Sequence, residues 1–123
     1  MSKFYQPRIL IVDDDQVLCE LLSEQLKEEK LETDIALNGK EALTKIRKGS
    51  YNLIILNFNM PGMKGDEVLT EIKKYDRSLP VIMLTSKDDP NVIVKCIKLG
   101  AVDYYTKPYD YDNILDAVIK YFK

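Results

Sequence analysis
The sequence predicts an α/β fold, a parallel sheet of five strands with helices on both faces. Short apolar runs alternate five times with segments whose apolar residues recur at helical spacing. Only a few residues connect them, and such alternation implies parallel strands joined by crossover helices. A third observation bears on chemistry: the apolar runs lead into polar residues, namely Asp13-Asp14, Asn57, Thr85 and Lys107.

The elements follow in order. Arg8-Ile9-Leu10-Ile11-Val12-Asp13 is a buried strand, and from Gln16 the residues Val17, Leu18, Leu21, Leu22 and Leu26 form a helical stripe. Thr33 to Leu37 is a short second strand. Asn38 caps the next helix, with Glu41 three residues on and Ala42, Leu43 and Ile46 on its inner face. Gly49-Ser50 ends that helix. Leu53 to Leu56 is an unbroken apolar run, as expected of a strand buried on both faces. A helix from about Gly65 turns Val68, Leu69 and Ile72 inward. Pro80 opens a fourth strand, Val81 to Leu84. Asp89-Pro90 places a cap and a proline where a helix start prefers them, and Val92, Ile93, Ile97 and Leu99 are that helix's apolar positions. Gly100 stops it. A fifth strand covers about Val102 to Thr106. The last helix, capped near Asp110, carries Ile114, Leu115, Val118 and Phe122.

A chain of 123 residues suits one domain, here residues 1–123 with a core of about 8–122. Charged residues make up 31% and nearly cancel to −2, which gives no electrostatic case for nucleic acid or a membrane surface. No apolar run reaches transmembrane length, and the first residues lack the apolar core of a signal peptide. The expected location is the cytoplasm. Cys19 and Cys96 stand far apart in no metal-ligand spacing and are expected to be small, partly buried hydrophobes. The absence of histidine excludes Ser-His-Asp and Cys-His catalysis and a phosphohistidine carrier.

Each polar position has a plain reading beside a functional one. Asp13-Asp14 is either a helix cap with a solvated neighbour or a magnesium site, since Mg²⁺ takes hard oxygen ligands and commonly one or two carboxylates. Asp15 is itself a candidate cap. Thr85 is a strand-terminal hydroxyl with or without a role, and Lys107 alone is an ordinary surface charge. Tyr104 is a β-prone aromatic that needs no special purpose.

Taken together, Asp13-Asp14, Asn57-Phe58-Asn59-Met60-Pro61-Gly62, Thr85-Ser86 and Lys107-Pro108 resemble the phosphorylation site of receiver domains from two-component response regulators, of the chemotaxis-regulator type. The resemblance runs from Arg8 to Phe122. It implies a flavodoxin-like, doubly wound sheet in the order 2-1-3-4-5, where ligands bind beyond the carboxyl ends of the strands at the point of order reversal. It further implies that Asp14 binds Mg²⁺ directly, Asp13 through water and Asn59 through its backbone carbonyl, with position 57 a further ligand. Thr85 would bond a phosphoryl oxygen, Lys107 would read the phosphoryl charge, and Tyr104 would turn inward as the threonine moves. The Lys107-Pro108 bond would be cis. Partners would be a sensor histidine kinase or phosphotransfer protein, and a downstream target or second copy through the face of the fourth helix, fifth strand and fifth helix. Five tyrosines in the last twenty residues (Tyr104, Tyr105, Tyr109, Tyr111 and Tyr121) mildly favour that face.

Position 57 departs from the family. There the matching residue is the aspartate that accepts the phosphoryl group, and a carboxamide lacks the charge and the nucleophilic oxygen. The expectation is weaker magnesium binding, no acyl phosphate and less repulsion with Asp13 and Asp14. Two functions therefore compete: a phosphorylation-controlled switch held in its unphosphorylated form, and a pseudo-receiver that binds partners without phosphate. An enzyme of the flavodoxin-like class is disfavoured, because the turns after the first and third strands lack a Gly-x-Gly pattern and position 57 lacks a nucleophile.

Overall fold
In the computed structural model, which describes residues 6–85, 89–106 and 111–122, five strands alternate with five helices. They are β1 (Arg8–Val12), α1 (Gln16–Glu28), β2 (Glu32–Ala36), α2 (Gly39–Lys48), β3 (Leu53–Asn57), α3 (Gly65–Tyr75), β4 (Val81–Thr85), α4 (Pro90–Lys98), β5 (Asp103–Thr106) and α5 (Tyr111–Lys120). All strand pairs are parallel and the order is β2-β1-β3-β4-β5, as the resemblance implies.

The pleat sorts the strand side chains into two cores. Leu10, Val12, Ile54, Leu56, Val81 and Met83 face Ala42 and Ile46 of α2, Val68, Leu69 and Ile72 of α3, and Cys96 of α4. Their neighbours Ile9, Ile11, Leu53, Ile55, Ile82 and Leu84 face Leu18, Leu22 and Leu26 of α1 and Ile114 and Val118 of α5. Both faces of β1, β3 and β4 are thus covered, which is why their sequences are apolar without alternation.

The caps fall where the sequence places them. Leu18 N–H donates to Asp15 at 3.2 Å, Glu41 N–H to Asn38 at 2.8 Å and Asn91 N–H to Asp89 at 2.9 Å. Two helix faces need correction. Val17 and Leu21 are exposed (66% and 46%), and the inward positions of α1 belong to Leu18, Cys19, Leu22, Ser23 and Leu26. The sheet covers only one stripe of the helix, and Val17 and Leu21 lie about 100° around from Leu18 and Leu22. Ser23 is tolerated inside because its hydroxyl bonds that of Thr33. On α4, Ile97 is exposed and Cys96 is the residue that enters the core. The expected cap Asp110 lies outside the described residues.

Candidate functional site
Three neighbouring strands bring the sequence-predicted residues to the carboxyl edge of the sheet. Asp13 directly follows β1, and its N–H bonds Ala36 O of β2 at 3.1 Å, which holds it in the plane of the sheet. Asn57 is the last residue of β3, and Thr85 the last of β4. Asn57 pairs with Leu84, so Thr85 stands one residue further along its strand. All three are buried, at 0%, 1% and 2% exposure, although each is polar.

The aspartates divide their work. Asp15 caps α1. Asp13 accepts the Asp15 N–H at 3.0 Å, closing the turn from strand into helix, and directs the same oxygen at Asn57. Asp14 is exposed but also reaches Asn57. The cap is thus Asp15, while Asp13 and Asp14 both face the Asn57 amide.

Asn57 is the hub. Its Nδ2 donates to Asp13 Oδ1 at 3.2 Å, to Asp14 Oδ1 at 3.4 Å and to the Asn59 carbonyl at 2.8 Å. Chemistry fixes this orientation, since the turned amide would set Oδ1 against two carboxylates and a carbonyl. Its Oδ1 is buried and has no hydrogen-bond partner among the described residues. The oxygens around Nδ2 are all hard donors of the kind a divalent cation takes. Among the described residues no three His, Cys, Asp or Glu side chains stand together as a metal cage. The donor set, two carboxylates and one carbonyl, fits a magnesium ion, and the Asn57 amide bonds these same oxygens.

Two glycines shape the rim. Gly62 has φ +80°, a left-handed conformation that L side chains rarely adopt, and so turns the chain after Pro61. At Gly65 a Cβ would lie 2.5 Å from Phe58 Cα and 2.8 Å from Asn57 O, so only glycine lets α3 start against the end of β3. The sequence marks Gly65 only as a helix start; its closeness to position 57 is tertiary. The neighbouring Asp66 binds Lys95 of α4 at 2.6 Å, which holds its carboxyl below the usual range.

Behind Asp13, the Cys19 thiol donates to Asp13 O at 3.4 Å, and burial, with help from the nearby aspartates, pushes it up to about 12. It is a packing group, as expected, and not a nucleophile. Tyr104 sits on β5 beside Met83 and is partly exposed at 38%. Lys107, Pro108 and Tyr109 lie outside the described residues.

A match to the response regulator receiver domain family spans residues 9–119. The chain belongs to that family. It is 39% identical to sporulation initiation phosphotransferase F of Bacillus subtilis over 114 residues, 93% of this chain and 92% of that protein. It is 37% identical to the transcriptional regulatory protein PcoR of Escherichia coli over 90% of this chain, but spans only 49% of that longer protein. Among solved structures, the response regulator TrrA of Thermotoga maritima, in complex with Mg²⁺-BeF, superposes with a TM-score of 0.85 at 38% identity, covering 95% of this chain and 100% of that one. A CheY-like receiver domain protein of Methanospirillum hungatei superposes with 0.90 at 30% identity, covering 94% and 93%.

Proposed function
We propose that this receiver domain is a signalling switch whose phosphoacceptor position is Asn57, so that it takes no phosphoryl group there as written. The observation that carries the reading is Asn57 itself, buried at the end of β3 and bonded to Asp13 and Asp14 of the β1 edge. A carboxylate at that point is the nucleophile a phosphoryl donor would meet, and asparagine keeps the shape without the nucleophilic oxygen. Asp13, Asp14, position 57 and the Asn59 carbonyl would hold Mg²⁺, which supplies positive charge to the oxygens of a phosphoryl group. Thr85 and Lys107 would bond and read that group, and Tyr104 would report its presence to the α4-β5-α5 face. The partners that follow are a sensor histidine kinase or phosphotransfer protein and a target or second copy on that face, in the cytoplasm, with no direct contact to nucleic acid or membrane. No catalysis of its own phosphorylation or dephosphorylation is expected with asparagine in place. Among the described residues no helix is long and apolar enough to cross a membrane.

The Asn57 nitrogen, already bonded to Asp13, Asp14 and Asn59, favours a second reading, a pseudo-receiver that binds its partner without phosphate. Intact-mass spectrometry after treatment with acetyl phosphate and magnesium separates the two. In Asn57→Asp the new carboxylate oxygen bonds phosphorus as the bond to acetate breaks and acetate leaves. That variant should gain one phosphoryl group, labile to alkali and hydroxylamine, and the parent none. Gain of that mass at position 57 in the parent would refute the assignment. An Asn57→Asp protein that is never modified would leave the pseudo-receiver in its place.

A further inference from the structure
We infer that the Asn57 carboxamide acts as a built-in substitute for the metal ion: its Nδ2H₂ group holds together the oxygens a divalent cation would hold, and magnesium must displace it to bind. The inference rests on the reading of this pocket as a cation site and goes beyond the loss of a carboxylate ligand.

The geometry is specific. Asp13 Oδ1 comes from the β1 edge, Asp14 Oδ1 from the turn after it, and Asn59 O from the turn after β3. These oxygens, from two separate loops, meet at a single nitrogen 2.8–3.4 Å away. Three acceptors, two of them on carboxylates, repel one another unless something positive stands between them. An amide NH₂ carries only two protons and a partial positive charge, so it must share them among three oxygens. The other end of the side chain points to the same conclusion. Oδ1 is buried and unpartnered among the described residues, so the side chain is oriented by what its nitrogen gains.

A ligand asparagine would present Oδ1 to the ion. Here Oδ1 can do so only if the amide turns over and gives up all three bonds. The side chain is thus a competitor for magnesium in the orientation it holds and a neutral ligand only in the other. Lost-ligand reasoning and this competition make opposite forecasts for a residue that is neither. With alanine at 57 there is no amide to displace and no ligand oxygen to lose.

The test is a titration of the full chain and its Asn57→Asp and Asn57→Ala variants with magnesium chloride, followed by backbone amide NMR shifts of residues 12–15 and 57–59. Competition predicts the affinity order Asp, then Ala, then the parent Asn, with Ala about fivefold tighter than Asn, the equivalent of one net hydrogen bond. Affinity of the parent equal to or above that of Asn57→Ala would overturn the inference while leaving the cation site in place. If Asn57→Asp also shows no response, the cation-site reading itself fails and the inference with it. Should Asn57→Ala not fold, the parent alone decides. The Asn57 side-chain NH₂ protons should exchange with water far more slowly than those of exposed Asn38, and should lose that protection on magnesium saturation. Exchange as fast as Asn38 in metal-free buffer would overturn the inference.

Discussion

At the amino end of the sheet, Arg8 reaches Glu32 at 2.7 Å and Asp34 at 3.3 Å, while Tyr51 donates its hydroxyl to Asp34 at 2.7 Å. At the carboxyl end, Asp13 and Asp14 both turn toward the neutral amide of Asn57. The first cluster pairs opposite charges that are each more than a third exposed, and water shares the work. The second buries Asp13 and Asn57 almost completely and sets two acids on one amide nitrogen. Folding alone does not require the second arrangement, because an apolar pair would fill the same space at less cost. Polar burial of that kind is where a function is best sought.

A pair of glycines gives the widest contrast between the two ends. At Gly65 an added Cβ meets backbone atoms of Phe58 and Asn57 at 2.5 and 2.8 Å, and backbone there cannot yield without moving position 57. Gly65→Ala should cost about 1–3 kcal/mol in urea denaturation and shift the NMR signals of residues 57–59. At Gly49, near the amino end, the nearest atoms are Lys45 O and Tyr51 Cε2, both at 3.2 Å, and the ring can give way. Gly49→Ala should cost clearly less. Equal costs would mean that the close approach of α3 to β3 does not constrain the site.

Much of this was legible in the sequence for identifiable reasons. The strands β1, β3 and β4 are buried on both faces, so their residues carry an unbroken apolar signal, and Asn38, Asp89 and Asp15 are caps whose partners lie within a few residues. The candidate site was legible as residue types at strand ends, and Asp13, Asp14, Asn57 and Asn59 do meet. Which end of the Asn57 amide faces the acids was not legible, because it depends on the oxygens of two loops 44 positions apart in the chain. Val17, Leu21 and Ile97 misled for a related reason: apolar type marks a helix face only to within one neighbouring position, and the sheet decides the rest. Lys107 lies outside the described residues, so its place beside the acids stays with the proposal.

A smaller effect is expected at the amino end. The Tyr51 hydroxyl bonds Asp34, and burial with that carboxylate pushes it up to about 12. Only the neutral phenol donates, so the contribution is complete below the unfolded value near 10 and is lost as pH rises toward 12. Tyr51→Phe should cost about 0.5–1.5 kcal/mol at neutral pH and flatten the fall in stability between those limits. Tyr105, bonded to Asp103 at 3.1 Å and likewise pushed up to about 12, contributes in the same window. The flattening should therefore be partial in Tyr51→Phe and larger in the double phenylalanine variant. An unchanged alkaline limb in both would show that neither hydroxyl bond matters.

The smallest effect should come from Arg8, even though its ion pairs are the most visible polar contacts of the amino end. Its guanidinium and the Glu32 carboxylate are each 45% exposed and Asp34 is 37% exposed, so water solvates all three before and after the pairs form. Salt screens what attraction remains, over about 8 Å at physiological ionic strength. Losing the arginine leaves Glu32 and Asp34 beside each other, but Asp34 keeps its bond from Tyr51. Arg8→Gln should leave the urea midpoint nearly unchanged in physiological salt and lower it slightly in dilute buffer. A double-mutant cycle with Glu32→Gln should give a coupling that shrinks as salt is added. An Arg8→Gln cost as large as that of Gly65→Ala, or one indifferent to salt, would show that the amino end is held by its charges. The distinction between the two ends would then fail, because exposed charges at the amino end would carry folding after all.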